Sequence, residues 1–273
     1  MNKEAWDISI ESLSGGYGSH LVLQDFSAVI PAGTITTILG ESGCGKTTLL
    51  RLLLGLNRPQ AGHILFGGRD VCAMSDAQFH KLRRRFGVLF QDGALLSSLT
   101  LAENVALPLV EHTKLPRKLL RDAALRTLEL VGLDKFADFY PGELSGGMRK
   151  RAGLARAIVT EPPVLFCDEP TSGLDPITAA QMDQLLLDMK ACYPHMTTVV
   201  VTHDLGSVEH IAEHVLVLKA GQSAFSGTKE ELHASEDPYL RRFLDRKYED
   251  SRRMAAPPLD SSVREALSEW LDD

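Results

Sequence analysis

Gly40-Glu41-Ser42-Gly43-Cys44-Gly45-Lys46-Thr47 stands between two apolar runs, Thr34-Ile35-Thr36-Thr37-Ile38-Leu39 before it and Leu49-Leu50-Arg51-Leu52-Leu53-Leu54 after it. The segment reads G-x-x-x-x-G-K-T, and strand, loop, helix is the context a phosphate-binding loop requires. Glycines let the backbone wrap tightly and aim its N–H groups inward, which makes an anion nest at a helix N-terminus. Lys46 supplies a point charge for β- and γ-phosphates, the Thr47 hydroxyl can ligate Mg²⁺, and Thr48 continues the nucleotide-binding stretch. The pattern alone arises by chance in on the order of one per cent of chains this long. The flanking strand and helix are what turn it into a prediction.

About a hundred residues downstream, Leu144-Ser145-Gly146-Gly147-Met148 precedes a helix expected from Arg149 to about Ile158. Its serine and glycine amides make a second anion site at a helix start. Val164-Leu165-Phe166-Cys167 ends in Asp168-Glu169, before Pro170-Thr171-Ser172-Gly173. Val199-Val200-Val201 ends in Thr202-His203-Asp204. Paired acids are more often a solvated strand end, and a lone histidine is more often structural. Placed at the ends of apolar strands in a chain with a phosphate loop, both read as chemistry instead. His210 and His214 have the spacing of a zinc helix, but Glu213 is misplaced for H-E-x-x-H, so no metal site is expected there.

Composition bounds the class. With 273 residues and 44% hydrophobic content the chain can bury a substantial core in one or two domains. A net charge of −7 disfavours nucleic acid as a partner. Cys44, Cys72, Cys167 and Cys192 are scattered without a C-x-x-C pair, which suggests neither a zinc site nor a disulfide framework. The amide dipoles and Lys46 around Cys44 lead us to expect a thiolate there whose alkylation blocks activity, with a small core-facing residue as the alternative. The start carries no apolar signal core, and no apolar run approaches the roughly 18 residues of a membrane span. The expectation is a cytosolic protein that touches a membrane only through a partner.

Residues 1 to about 90 read as strands with turns at Pro31-Ala32-Gly33 and Gly67-Gly68-Arg69-Asp70, interrupted by the phosphate-loop helix. From about 100 to 158 the pattern is helical, with Leu119, Ala123, Leu125, Leu128 and Val131 at helix-like spacing before the stop at Gly132. Strands and helices then alternate from about 163 to 220, which implies a parallel sheet covered on both faces.

These segments, in this order, resemble the ATP-binding-cassette (ABC) ATPases, and the resemblance runs to about residue 245. It implies an α/β ABC ATPase fold: a P-loop NTPase core, an antiparallel β-subdomain, and a helical subdomain at about 92–158. It identifies Leu144 to Met148 as the signature, Asp168-Glu169 as the Walker B acids, Ser172 to Asp175 as the D-loop, His203 as the switch histidine and Gln91 as the Q-loop residue. Tyr17 lies where the family stacks adenine. Phosphoryl transfer from ATP to water needs charge neutralisation, a held metal and an oriented water. The resemblance therefore implies Mg²⁺ on Thr47, Asp168 and Gln91, Glu169 as general base, and His203 on the γ-phosphate. One phosphate loop and one signature per chain imply an ATP-sandwich dimer of two copies, head to tail.

Finer features are similar to the ATPase subunits of Mla-type phospholipid transporters, which work with an MlaE-like permease dimer and an MCE-domain lipid-binding protein. Leu89 to Leu96 with its Gly93-Ala94-Leu95, Glu103 to Leu109, Glu111 to Leu115, Leu144 to Arg151 with Met148 in place of the common glutamine, and Asp175-Pro176-Ile177-Thr178 carry this. The resemblance implies a peripheral protein on the cytoplasmic face of an inner membrane, held there by the permease. An importer of a small polar solute and a non-transport ABC ATPase remain open alternatives. The remainder, 246–273, reads as a tail with a Pro257-Pro258 linker and a short amphipathic helix. There Ser262 caps with Glu265, and Val263, Ala266, Leu267, Trp270 and Leu271 form one face. Its dock is expected on a second ATPase subunit, with its own core or a disordered tail as the alternatives.

Overall fold

A computed structural model describes residues 5–18 and 20–245, and in the tail residues 260, 262, 263, 268, 270 and 271. They fall into two compact units, Met1–Ala234 and Ser235–Asp273. The first unit has two sheets. One is four-stranded and antiparallel, in the order β2 (His20–Ile30), β1 (Ile8–Tyr17), β4 (Ala61–Phe66), β5 (Arg69–Asp70). The other has six strands in the order β10 (Gln222–Thr228), β9 (His214–Lys219), β3 (Ile35–Gly40), β8 (Thr197–Val201), β7 (Val164–Asp168), β6 (Phe86–Leu89). In this second sheet only β10 is antiparallel to its neighbour.

The central strands are continuous apolar runs because both faces are covered. Along β7, Val164 and Phe166 enter one core while Leu165 and Cys167 enter the other, the period-two alternation of a strand. The first core lies toward the antiparallel sheet and α1 (Lys46–Leu53); Phe66, Phe86 and Phe166 meet in it with ring centroids 4.7 to 6.4 Å apart. The second core is shared with the helices α3 (Leu101–His112), α4 (Arg117–Leu130), α5 (Gly146–Ile158) and α6 (Pro176–Cys192).

Two local expectations change. A helix, α2 (Asp76–Arg83), interrupts the expected strands-and-turns region, closed by a capping box between Ser75 and Gln78. Only Leu82 of it is buried, so it carries almost no apolar periodicity to read. On α4 the buried residues are Ala124, Thr127 and Leu128, and Leu119 faces solvent. The apolar face is thus rotated from the one the spacing suggests. His210 belongs to α7 (Leu205–Ile211) and His214 to β9, so the two never share a helix.

The second unit contains α9 (Pro238–Leu244), capped by the Asp237 carboxylate, with Tyr239 and Phe243 stacked 6.2 Å apart. In the tail, Asp260 and not Ser262 takes the capping role: its carboxylate accepts from the Ser262 N–H at 2.9 Å, and Ser262 is already helical. Val263, Trp270 and Leu271 are exposed. The expected partners Glu265, Ala266 and Leu267 and the Pro257-Pro258 linker lie outside the described residues. No helix among the described residues is long and apolar enough to cross a membrane.

Candidate nucleotide site

The register of the parallel sheet assembles the site. Gly40 ends β3 beside Leu218, Asp168 ends β7 level with Val201 at the end of β8, and Leu89 ends β6 level with Cys167. The phosphate loop, Asp168-Glu169, His203 and Gln91 therefore all follow strand C-termini at one edge, where open α/β sheets bind their ligands.

In the loop, Glu41, Ser42, Gly43 and Thr47 are exposed, while Cys44, Gly45, Lys46 and Thr48 are buried. Gly40 has φ +155°, and a Cβ there would meet Cys44 Sγ and the Leu218 carbonyl at 2.5 Å each. Lys46 Nζ donates to the carbonyls of Gly40 and Glu41 at 2.7 and 3.0 Å, which holds the ammonium across the loop. The Cys44 side chain packs under the loop in the core. Burial pushes its thiol pKa up more than the neighbouring Lys46 pulls it down, so the reactive thiolate that the loop's positive surroundings suggest is not favoured.

Asp168 is half-buried, and its pKa is raised by burial first and by the Glu169 charge second, against Arg51 and Lys46. Glu169 has φ +48°, a left-handed conformation rarely taken by a side-chain-bearing residue and typical of functional sites. Its Oε1 lies 2.8 Å from His203 Nδ1, and an ionised carboxylate can only accept, so that nitrogen carries the proton. Its Oε2 is buried without a hydrogen-bond partner among the described residues. An orphaned carboxylate oxygen beside a phosphate loop is suited to take a proton from a water. Gln91 Nε2 donates to Ser172 Oγ at 3.5 Å, which ties the Q-loop to the D-loop turn.

Tyr17, at the end of β1, is exposed and accepts from Arg51 at 3.0 Å; bonds from Thr48, then Arg51, lower its pKa. The ring is thereby fixed beside α1. Asp175 caps α6, accepting from the N–H groups of Ile177 and Thr178 at 3.1 Å each. At the signature, Ser145 caps α5 and accepts from the Met148 N–H at 3.2 Å. Leu144 and Gly147 are buried, Ser145 and Gly146 are exposed, and a Cβ on Gly147 would fall 2.6 Å from Thr178 of α6. Met148 packs against the second core, which gives an apolar residue there a physical reason.

A Mg²⁺ ion suits the donors present. Mg²⁺ is held by one or two carboxylates together with substrate phosphates and waters. Asp168 beside Glu169 is a pair of acids whose mutual repulsion a dication would relieve.

A model of the ABC transporter family matches residues 23–172. The chain belongs to the ABC transporter ATP-binding family. This ABC ATPase is 42% identical over 238 residues to the "Intermembrane phospholipid transport system ATP-binding protein MlaF" of Escherichia coli, covering 87% of this chain and 88% of that one. It is equally 42% identical to the "Probable ribonucleotide transport ATP-binding protein mkl" of Mycobacterium leprae, covering 87% of this chain and 68% of that one. Its fold matches an ATP-binding cassette solved as a dimer with ADP and Pi at TM-score 0.73 and 30% identity, over 81% of this chain and 98% of that one. The ABC ATPase fold expected from sequence is thus the fold observed, with nucleotide binding and ATP hydrolysis as its activity.

Sequence reasoning missed two positioning side chains. Asn104, fully buried, accepts from the Leu96 N–H at 2.8 Å and donates to the carbonyls of Leu96, Leu99 and Thr100 at 3.0 Å each. It thereby shapes the loop after Gln91. Lys150 is the other. Both lie within segments that carry the family resemblance, but no spacing in them announces these hydrogen bonds.

Proposed function

We propose that this ABC ATPase is the energy subunit of a membrane transporter that moves phospholipid, working as a dimer of two copies beneath a permease dimer. The observation that carries this reading is the 42% identity to MlaF, which extends over 87% of this chain and 88% of that protein. Lys46 and the loop amides from Gly40 to Thr48 would hold ATP, with Tyr17 against adenine. Thr47, Asp168 and Gln91 would hold Mg²⁺, whose role is to neutralise phosphate charge. Glu169 would draw the proton from water, with His203 fixing the carboxylate and facing the γ-phosphate. Leu144 to Met148 would close on the partner copy's nucleotide, with Asp175 at the dimer seam.

The permease is assigned to the face around the Q-loop exit. Phe90, Leu96, Val110 and Leu115 are exposed large apolar side chains close in sequence around the Q-loop exit and α3. Contiguous exposed apolar surface marks interaction sites, and these four residues are the ones proposed to form it. An MCE-domain lipid-binding protein completes the assembly, and the permease fixes the ATPase to the cytoplasmic face of an inner membrane. The ABC module is taken to end near residue 245, with 246–273 as its tail. A second reading, ribonucleotide transport, is favoured by the equal identity to Mkl, although that match covers only 68% of the longer protein.

Purification of the ATPase with its permease, followed by mass spectrometry of bound small molecules, tests both. Co-purified phospholipid together with ATPase activity stimulated by phospholipid supports the first. Stimulation by ribonucleotides and not by lipid overturns it.

A further inference from the structure

Lys150 lies on α5, three residues beyond Gly147 of the signature, and is only 5% exposed. A buried ammonium is costly unless hydrogen-bonded. Its Nζ donates to the Glu169 carbonyl at 3.1 Å and to the Ser172 carbonyl at 2.5 Å. These carbonyls bracket one turn, since the Ser172 N–H also donates to the Glu169 carbonyl at 3.2 Å. The Glu169 N–H is held by the Val201 carbonyl at 2.9 Å, and its carboxylate by His203. Glu169 is thus fixed at its amide, its carbonyl and its side chain, and the carbonyl anchor comes from the signature helix. Through Ser172 the same turn reaches Gln91.

Glu169 keeps φ +48° although it precedes Pro170. Residues before proline favour extended backbone, so this conformation persists only where its surroundings hold it. The same helix also grips the Q-loop exit: Arg156 donates to the carbonyls of Ala94 and Gly93 at 2.7 and 2.9 Å. A shift of α5 therefore moves the Glu169 carbonyl, the D-loop turn and the Q-loop exit together.

We propose that Lys150 is a positioning residue for ATP hydrolysis, holding the Glu169 main chain in its strained conformation and passing the position of the signature helix to the carboxylate. This rests on Glu169 being the base. The ammonium acts through the two carbonyls it bonds. Its removal should leave the phosphate loop intact and let the 169–172 turn relax, displacing the carboxylate.

The test measures steady-state ATPase kinetics and nucleotide affinity in the full-length chain. Lys150→Met should lower kcat by about 10- to 100-fold, the range expected for a small misplacement of a reacting group, with KM for ATP and equilibrium ATP affinity within about twofold. Lys150→Arg, which retains donors for both carbonyls, should recover part of the loss. Lys150→Gln keeps a donor for one carbonyl, should give an intermediate kcat, and carries the test if the methionine variant does not fold. A kcat for Lys150→Met or Lys150→Gln close to that of the wild type overturns the proposal. So does a parallel fall in kcat, ATP affinity and thermal stability with no recovery by arginine, which would mark a purely structural role. Glu169→Gln run alongside separates the two claims: if it hydrolyses ATP normally, the base assignment fails on its own account.

Discussion

Glu169→Gln is the perturbation on which the chemistry turns. The substitution keeps side-chain length and the left-handed backbone, at a strain cost similar for glutamine and glutamate. Its amide oxygen can still accept from His203 Nδ1, now at 2.8 Å from Glu169 Oε1. The NH₂ group takes the place of Oε2, a buried atom already without a partner, so one orphaned group replaces another. The packing cost is therefore about 1 kcal/mol or less. What is lost is the ability to accept a proton. General-base catalysis contributes about 10²- to 10⁴-fold, so kcat should fall by that factor, equivalent to about 3–5 kcal/mol of activation free energy. ATP affinity should hold or improve, because the Glu169 charge, which helps burial raise the Asp168 pKa, is gone. Phosphate release at saturating Mg-ATP gives kcat, equilibrium binding of a fluorescent ATP analogue gives affinity, and light scattering reports the ATP-bound dimer, which should accumulate. A kcat within about tenfold of wild type would refute the assignment of Glu169, since a residue that only shapes the pocket survives this isosteric change.

Asp168→Asn should stabilise the nucleotide-free protein at pH 7–8, raising Tm by about 2 °C, while abolishing the further rise produced by Mg-ATP. Because the Asp168 pKa is raised in the folded state, the wild type loses stability as pH climbs through that value. The two melting curves should converge as pH falls toward the ordinary carboxylate range, and an asparagine variant less stable than wild type at neutral pH would contradict this. Alkylation of the native protein should modify exposed Cys72 and Cys192 well before buried Cys44, with activity largely retained at that stage; peptide mapping that finds Cys44 the fastest site would restore the reactive-thiolate reading.

How much of this was legible beforehand depends on how local the cause is. The phosphate loop and the apolar strand ahead of Asp168-Glu169 are each written within about a dozen consecutive residues, so local spacing exposes them. The helix α2 was locally written too, as Ser75 and Gln78, yet its nearly unburied surface gives no apolar stripe to notice. Cys44 fails differently: the sign of its pKa shift depends on whether the thiol faces the loop's amides or the core beneath. That is decided by Gly40, whose left-handed backbone and missing Cβ leave the space that Cys44 Sγ occupies. Lys150 was beyond reach for the same reason at longer range. In the sequence it is one of three cations in Arg149-Lys150-Arg151; only once α5 packs against β6, the neighbour of β7, does its ammonium meet the carbonyls of residues 169 and 172. A motif names the groups that touch the substrate, because their spacing is set by the loop or strand carrying them. The groups that hold those residues in place come from elsewhere in the chain. If that division holds, mutational loss of turnover without loss of ATP affinity should extend beyond the motifs to side chains like Lys150 that bond their main-chain carbonyls.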